Sequence, residues 1–218
     1  MTFQDIVKSV LRRLRENPNV SNIAENTNPY IQLIGELVND AKYEVENAWS
    51  WSALRVSLSG VTTSGVFSYE LNGSGQNFTL LDALNDTSNW FLQYKTQSDM
   101  TDLYLNNNPQ SGAPQYFTYN GTSADGDTMV DLYPKPDGVY EFHFNIVRRT
   151  PRFIEDLDEL YIAPEPVIAL AYAKAVEERG EDGGISSASA YQTAARMLND
   201  AISFDAAKHP EETIWHTV

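Results

Sequence analysis

Along these 218 residues the spacing of apolar side chains changes twice. Phe3, Ile6, Val7, Val10, Leu11 and Leu14 recur at i, i+3, i+4 and i+7, one stripe of an amphipathic helix. That pattern predicts a helix over 2–16, stopped by Asn17-Pro18-Asn19. A second helix is expected over 29–51, with Asn28 as N-cap and Pro29 in the first turn. Its stripe is Ile31, Ile34, Val38, Ala41, Val45 and Ala48 or Trp49. From about residue 56 the period falls to two, and Ser, Thr, Gly and Asn become frequent. Short apolar runs at 67–71, 78–81, 90–94, 116–119, 129–133 and 139–147 alternate with turn clusters such as Asn72-Gly73-Ser74-Gly75 and Asn120-Gly121. Residues 85–115 read as a long loop with one short helix. After Pro151 the helical period returns: 164–180 follows Ala163-Pro164 and ends at Gly180, and 186–208 is capped by Ser186 or Ser187. Tyr191, Ala194, Ala195, Leu198 and Ile202 line the inner face of that last helix, which His209-Pro210 closes.

Neither helical half can bury its stripe alone. The expected fold class is therefore α+β: a helical bundle built from 1–55 and 152–208, with an antiparallel sheet or small barrel inserted as 56–151 and a tail at 209–218. The stretch LYPKPDGVYEFHF, 132–144, reads as a hairpin. Pro136-Asp137-Gly138 suits its type I turn, and Tyr140, Phe142, Phe144 and Ile146 share one face of the second strand.

Composition narrows the chemistry. With no cysteine, disulfides and thiolate metal sites are excluded, which leaves His143, His209 and His216 as nitrogen ligands. No paired-His spacing occurs, so no metal site is expected and His143 reads as a strand residue on a polar face. A net charge of −15 argues against general affinity for nucleic-acid phosphates. The charge is uneven: Lys8, Arg12, Arg13 and Arg15 make the first helix basic, whereas 151–218 carries 13 acidic and 5 basic side chains. The basic patch reads either as a protein-binding surface or as a solvated helix face. No run approaches the roughly 20 apolar residues of a membrane span, and the charged N-terminus lacks the pattern of a signal peptide.

The usual catalytic motifs are missing. The 72–76 segment, Asn-Gly-Ser-Gly-Gln, lacks the Lys-Ser/Thr ending of a phosphate loop, and 124–128 lacks calcium-loop spacing; both read as turns. Glu155-Asp156-Leu157-Asp158-Glu159 reads as a solvated linker or a dock for a basic surface. No catalytic residue and no cofactor site is expected. Aromatics outnumber the needs of a small core, which fits anchors at subunit contacts.

In order along the chain, the features resemble the head-to-tail adaptor, or connector, family of tailed bacteriophages. The resemblance is carried by Leu37-Val38-Asn39-Asp40-Ala41 leading to Trp49-Ser50-Trp51-Ser52-Ala53-Leu54-Arg55. It continues through Gly112-Ala113-Pro114-Gln115-Tyr116-Phe117, Val130-Asp131-Leu132-Tyr133-Pro134-Lys135-Pro136-Asp137 and Tyr140-Glu141-Phe142, then Arg148-Arg149-Thr150-Pro151 and the final helix pair. It implies a structural virion protein made in the bacterial host cytoplasm. Such a protein forms a homo-oligomeric ring, usually twelvefold, bound to the portal and to nozzle or tube proteins of the tail, with DNA passing through unbound. On that resemblance the interface candidates are Arg12, Arg13, Arg15, Trp49, Trp51, Tyr133, Pro134, Pro136, Arg148, Arg149, Ile214 and Trp215. Two other readings stand beside it. Trp90, Tyr94, Tyr116 and Tyr119 could stack sugars in a carbohydrate-binding or baseplate-type module, and carboxylates such as Asp131 and Glu141 could serve a glycoside hydrolase or lyase.

Overall fold

The computed structural model describes residues 1–105, 109–180 and 185–209. The chain divides into two compact units, one of Met1–Leu54 with Arg149–Val218 and one of Arg55–Arg148.

In the first unit, α1 (Phe3–Arg13) starts where the Thr2 hydroxyl accepts from the Asp5 amide. It ends earlier than its stripe implies. Arg15 takes φ 60°, and the amides of Arg15 and Glu16 donate to the carbonyls of Arg12 and Leu11, a Schellman ending without glycine. In α2 (Pro29–Ala48), Asn28 accepts from the Tyr30 amide and Ile31, Ile34, Val38, Ala41 and Val45 are buried as expected. Helix α4 (Pro164–Arg179) closes at Gly180 with φ 60°, and α5 (Ile185–Ala206) follows. Helix α4 packs against α1, α2 and α5. Small residues Ala169, Ala171, Ala173 and Ala175 are buried along it, so three neighbours can approach closely. Ser186 and Ser187 both fall within the span of α5 rather than before it.

Polar side chains also hold this unit together. Along one face of α2, Asn39, Lys42 and Glu46 bind the extended segment 150–153. Asn39 exchanges two hydrogen bonds with the Phe153 backbone, Lys42 donates to the carbonyls of Thr150 and Pro151, and Glu46 accepts from the amide and hydroxyl of Thr150. Lys42 and Glu46 are fully buried and 3.5 Å apart. Burial pushes the Lys42 ammonium below its ordinary range, and the Glu46 carboxylate opposes that shift.

Among its described residues the second unit holds eight strands and one helix. Strands β1 (Arg55–Val61), β8 (Glu141–Arg148), β3 (Phe78–Asn85) and β4 (Trp90–Phe91) form an antiparallel sheet in that order. Strands β2 (Ser68–Glu70), β7 (Thr128–Tyr133), β6 (Tyr116–Thr122) and β5 (Gln93–Tyr94) form the other, in which β5 and β6 run parallel. One core cluster draws on both sheets, with the Phe117 and Phe144 rings edge-to-face at 5.1 Å. Helix α3 (Gln97–Leu105) is the short helix expected within 85–115.

Three expectations change here. The two sheets stay open, so no barrel closes among the described strands. The pairing is mixed rather than purely antiparallel. The 132–144 hairpin does not exist: β7 pairs with β2 and β6, and β8 with β1 and β3. The Lys135 carbonyl accepts from the Gly112 amide, and the Pro136 carbonyl from the Gly65 amide. Residues 134–140 therefore cross between sheets. Face alternation along β8 holds, with Phe142, Phe144 and Ile146 buried. At Gly60, opposite Phe142, an added Cβ would lie 2.3 Å from the ring, so glycine is required by the close approach.

Candidate functional site

The helical unit offers one unpartnered surface. Arg12, Arg13 and Arg15 are exposed at the C-terminal end of α1, where its dipole favours cations. None of the described residues forms a salt bridge with them. The acidic run is not a free linker. The Asp156 carboxylate accepts from the amides of Asn22 and Ile23 and from Gln4 Nε2, and Asp158 accepts from the amides of Ile154 and Glu155. The backbone carbonyls of both residues take the first amides of α1. This strap therefore caps α1, which corrects the reading of it as a solvated linker or dock. What it presents outward is apolar: Ile154, Leu157 and Tyr161 are 69%, 76% and 63% exposed. Beside Tyr161 a groove of about 380 Å³ runs along α5, lined by Trp51, Ile162, Pro166, Met197 and Phe204 among others. Phe204 is 76% exposed.

Sequence reading missed these four side chains. The available signal was position: Phe204 lies off the inward stripe of α5, and Leu157 sits among carboxylates with no helical or strand period to bury it.

The expected interface residues divide by burial. Trp51 is buried, its indole N–H donating to the Val45 carbonyl, and Trp49 is half-buried. Tyr133 and Pro136 are buried and Pro134 is half-buried. Arg148 donates to the Gly73 carbonyl, and Arg149 donates to Asn47 and lies over the Tyr43 ring. Ile214 and Trp215, with the tail beyond His209, lie outside the described residues.

The residues of the two rival readings divide between the sheets. Tyr94 and Tyr119 meet in an aromatic cluster with Phe117 and Phe78, whereas Tyr116 carries the Lys95 ammonium over its ring. Trp90 lies in the other sheet and donates to the Pro114 carbonyl. Asp131 is buried in β7 and Glu141 is exposed in β8, again in different sheets. Turns behave as read. The Asp127 carboxylate accepts from the amides of Gly73 and Gly75 at 2.7 Å each, which holds it below the usual carboxylate range. One grouping was not foreseen: His143 lies close to Asp86 and Glu141, so it is not an isolated strand histidine.

The sequence profile of the family described as SU10 adaptor protein matches residues 1–213, through both helical segments and all eight strands. The chain belongs to that family. The SU10 adaptors are phage head-to-tail adaptors, so this is a virion protein of bacteriophage origin. A search of curated proteins finds no match to this adaptor. Among its described residues no helix is long and apolar enough to cross a membrane.

Proposed function

We propose that the adaptor is a structural, non-catalytic protein that assembles as a ring of identical copies, usually twelve in such assemblies. In this reading the ring binds the portal, extends the DNA channel and docks tail components. The family match over 1–213 carries the reading. Support comes from the surface: Ile154 with Leu157 lines one depression and Tyr161 with Phe204 another, exposed apolar side chains that neighbouring molecules would cover. The unpaired basic end of α1, at Arg12, Arg13 and Arg15, complements acidic neighbours, and a net charge of −15 keeps DNA from adhering to a channel wall. The helical unit is assigned to the ring body and the portal contact, and the β unit to the tail contact. Residues 209–218, with Ile214 and Trp215, supply an apolar docking segment.

Mass by light scattering and negative-stain imaging, on the chain alone and mixed with its phage's portal, tests this reading. A ring coaxial with the portal is expected. Deleting 208–218 is expected to weaken that attachment while leaving the fold intact. A chain that ignores the portal and never assembles overturns the proposal.

A further inference from the structure

We propose that Asp86, Glu141 and His143 form a binding site for a divalent transition-metal ion of the zinc class. The site is independent of the adaptor reading and lies at one end of the first sheet. Glu141 and His143 are two residues apart on β8 and so share a face. His143 pairs with Leu84 of β3, and Asp86 follows directly after that strand. The Asp86 amide donates to the Glu141 carbonyl at 2.9 Å, and the Glu141 amide donates to Thr87 Oγ1 at 2.8 Å. The backbone beneath all three side chains is therefore fixed, and only their rotamers are left to adjust.

One ligand atom from each residue lies within 4.8 Å of the other two. The imidazole has no closer claim on it: His143 Nε2 stands 4.0 Å from Asp86 Oδ2, beyond hydrogen-bond reach, and no described residue hydrogen-bonds the ring. A tetrahedral ion with bonds of about 2.0–2.2 Å holds its ligand atoms roughly 3.4 Å apart. Asp86 and Glu141 are exposed, so drawing in by about an ångström takes only side-chain rotation. One imidazole nitrogen and two carboxylates suit Zn²⁺, Co²⁺, Ni²⁺ or Mn²⁺. They suit Ca²⁺ and Mg²⁺ poorly, because those ions select all-oxygen shells with more ligands. Three protein ligands leave at least one position for water or for a side chain from a neighbouring molecule. The ion would tie the β3–β4 turn to the start of β8.

Calorimetric titration of the full chain with Zn²⁺, and with Mg²⁺ for comparison, tests the site; Co²⁺ titration adds a visible spectrum that reports coordination number. One Zn²⁺ per chain is expected, at least about tenfold tighter than Mg²⁺. Zn²⁺ should also raise the melting temperature. His143→Ala and Asp86→Asn are each expected to weaken Zn²⁺ by about tenfold or more, with metal-free melting unchanged because these side chains are not in the core. A His209→Asn/His216→Asn variant, which removes the other two histidines, is expected to bind as the wild type does. Absence of saturable binding overturns the proposal. So does binding that survives His143→Ala/Glu141→Gln, or that disappears in the His209→Asn/His216→Asn variant.

Discussion

Lys42 is a cation with no exposed surface, in contact with Glu46, two backbone carbonyls and the faces of Tyr43 and Phe153 at 4.8 and 4.9 Å. A buried pair of this kind adds little net stability when complete, but removing one member strands the other. Lys42→Met is expected to cost about 3–5 kcal/mol, read from the shift of the urea midpoint, because Glu46 is left buried without its cation. The acid side of the pH profile has a different origin. Asp205 is desolvated, which alone would raise its carboxyl. The hydroxyl and amide of Ser52, with Lys208, outweigh that and hold it below 3.8. Asp127 is held below 3.8 by the Gly73 and Gly75 amides. For both groups the unfolded chain takes up a proton before the folded one does. The stability they contribute is present above pH 3.8 and lost as the pH falls below it through the folded values. The stability gap between wild type and Asp205→Asn is therefore expected to be wide at pH 6 and to narrow by pH 3, in urea titrations at the two pH values. A gap that does not change with pH would contradict this assignment.

At the scale of elements, short-range chemistry starts α2, whereas long-range contacts help to start α1 and decide what the strands do. The strap at 154–160 shows the second kind of control. Asp156 accepts from three donors, and two of them are the amides of Asn22 and Ile23, far away in sequence. Asp156→Ala leaves the fully buried Ile23 backbone without an acceptor, at an expected cost of about 1–3 kcal/mol. Faster hydrogen exchange at Asn22, Ile23 and the first turn of α1 is the accompanying readout; unchanged protection there would exclude a capping role. The sequence makes the helix boundaries at Asn28-Pro29, Ala163-Pro164 and Gly180 readable, because the Asn28 cap, the prolines in both first turns and the left-handed glycine at the end of α4 are all local signals. The core face of β8 is equally readable, since alternation is local. The partner of β8 is not. Pro136-Asp137-Gly138 has turn chemistry, yet β8 pairs with β1 and β3 across 57 to 92 residues of chain, and nothing at the turn encodes that choice. The same blindness hid the Asp86–His143 proximity, which appears only once the β3–β8 register is known. Charge patterning misled at Asp156 and Asp158, because carboxylates that accept backbone amides look in sequence like solvated ones.

At the scale of the whole molecule, the β unit enters and leaves through adjacent strands. Arg55 and Val147 are register partners in β1 and β8, so the ends of Arg55–Arg148 sit side by side in one sheet. A segment with its own core and neighbouring termini has the anatomy of an insertion that can fold alone. Expressed by itself, 55–148 is expected to melt cooperatively, with a near-ultraviolet signal from the Phe117, Tyr119 and Phe144 cluster. The reciprocal chain, with 55–148 replaced by a short Gly/Ser linker, should also fold, because the packing of α4 on α1, α2 and α5 and the α2 ladder to 150–153 lie wholly within 1–54 and 149–218. The two fragments then separate the two proposed contacts. If the helical unit is the ring body, the linked helical chain binds the portal in co-sedimentation and the isolated β unit does not. Portal binding by the β unit alone would reverse the assignment while leaving the adaptor role standing. Binding by neither fragment, where the full chain binds, would mean that the portal surface needs both units together.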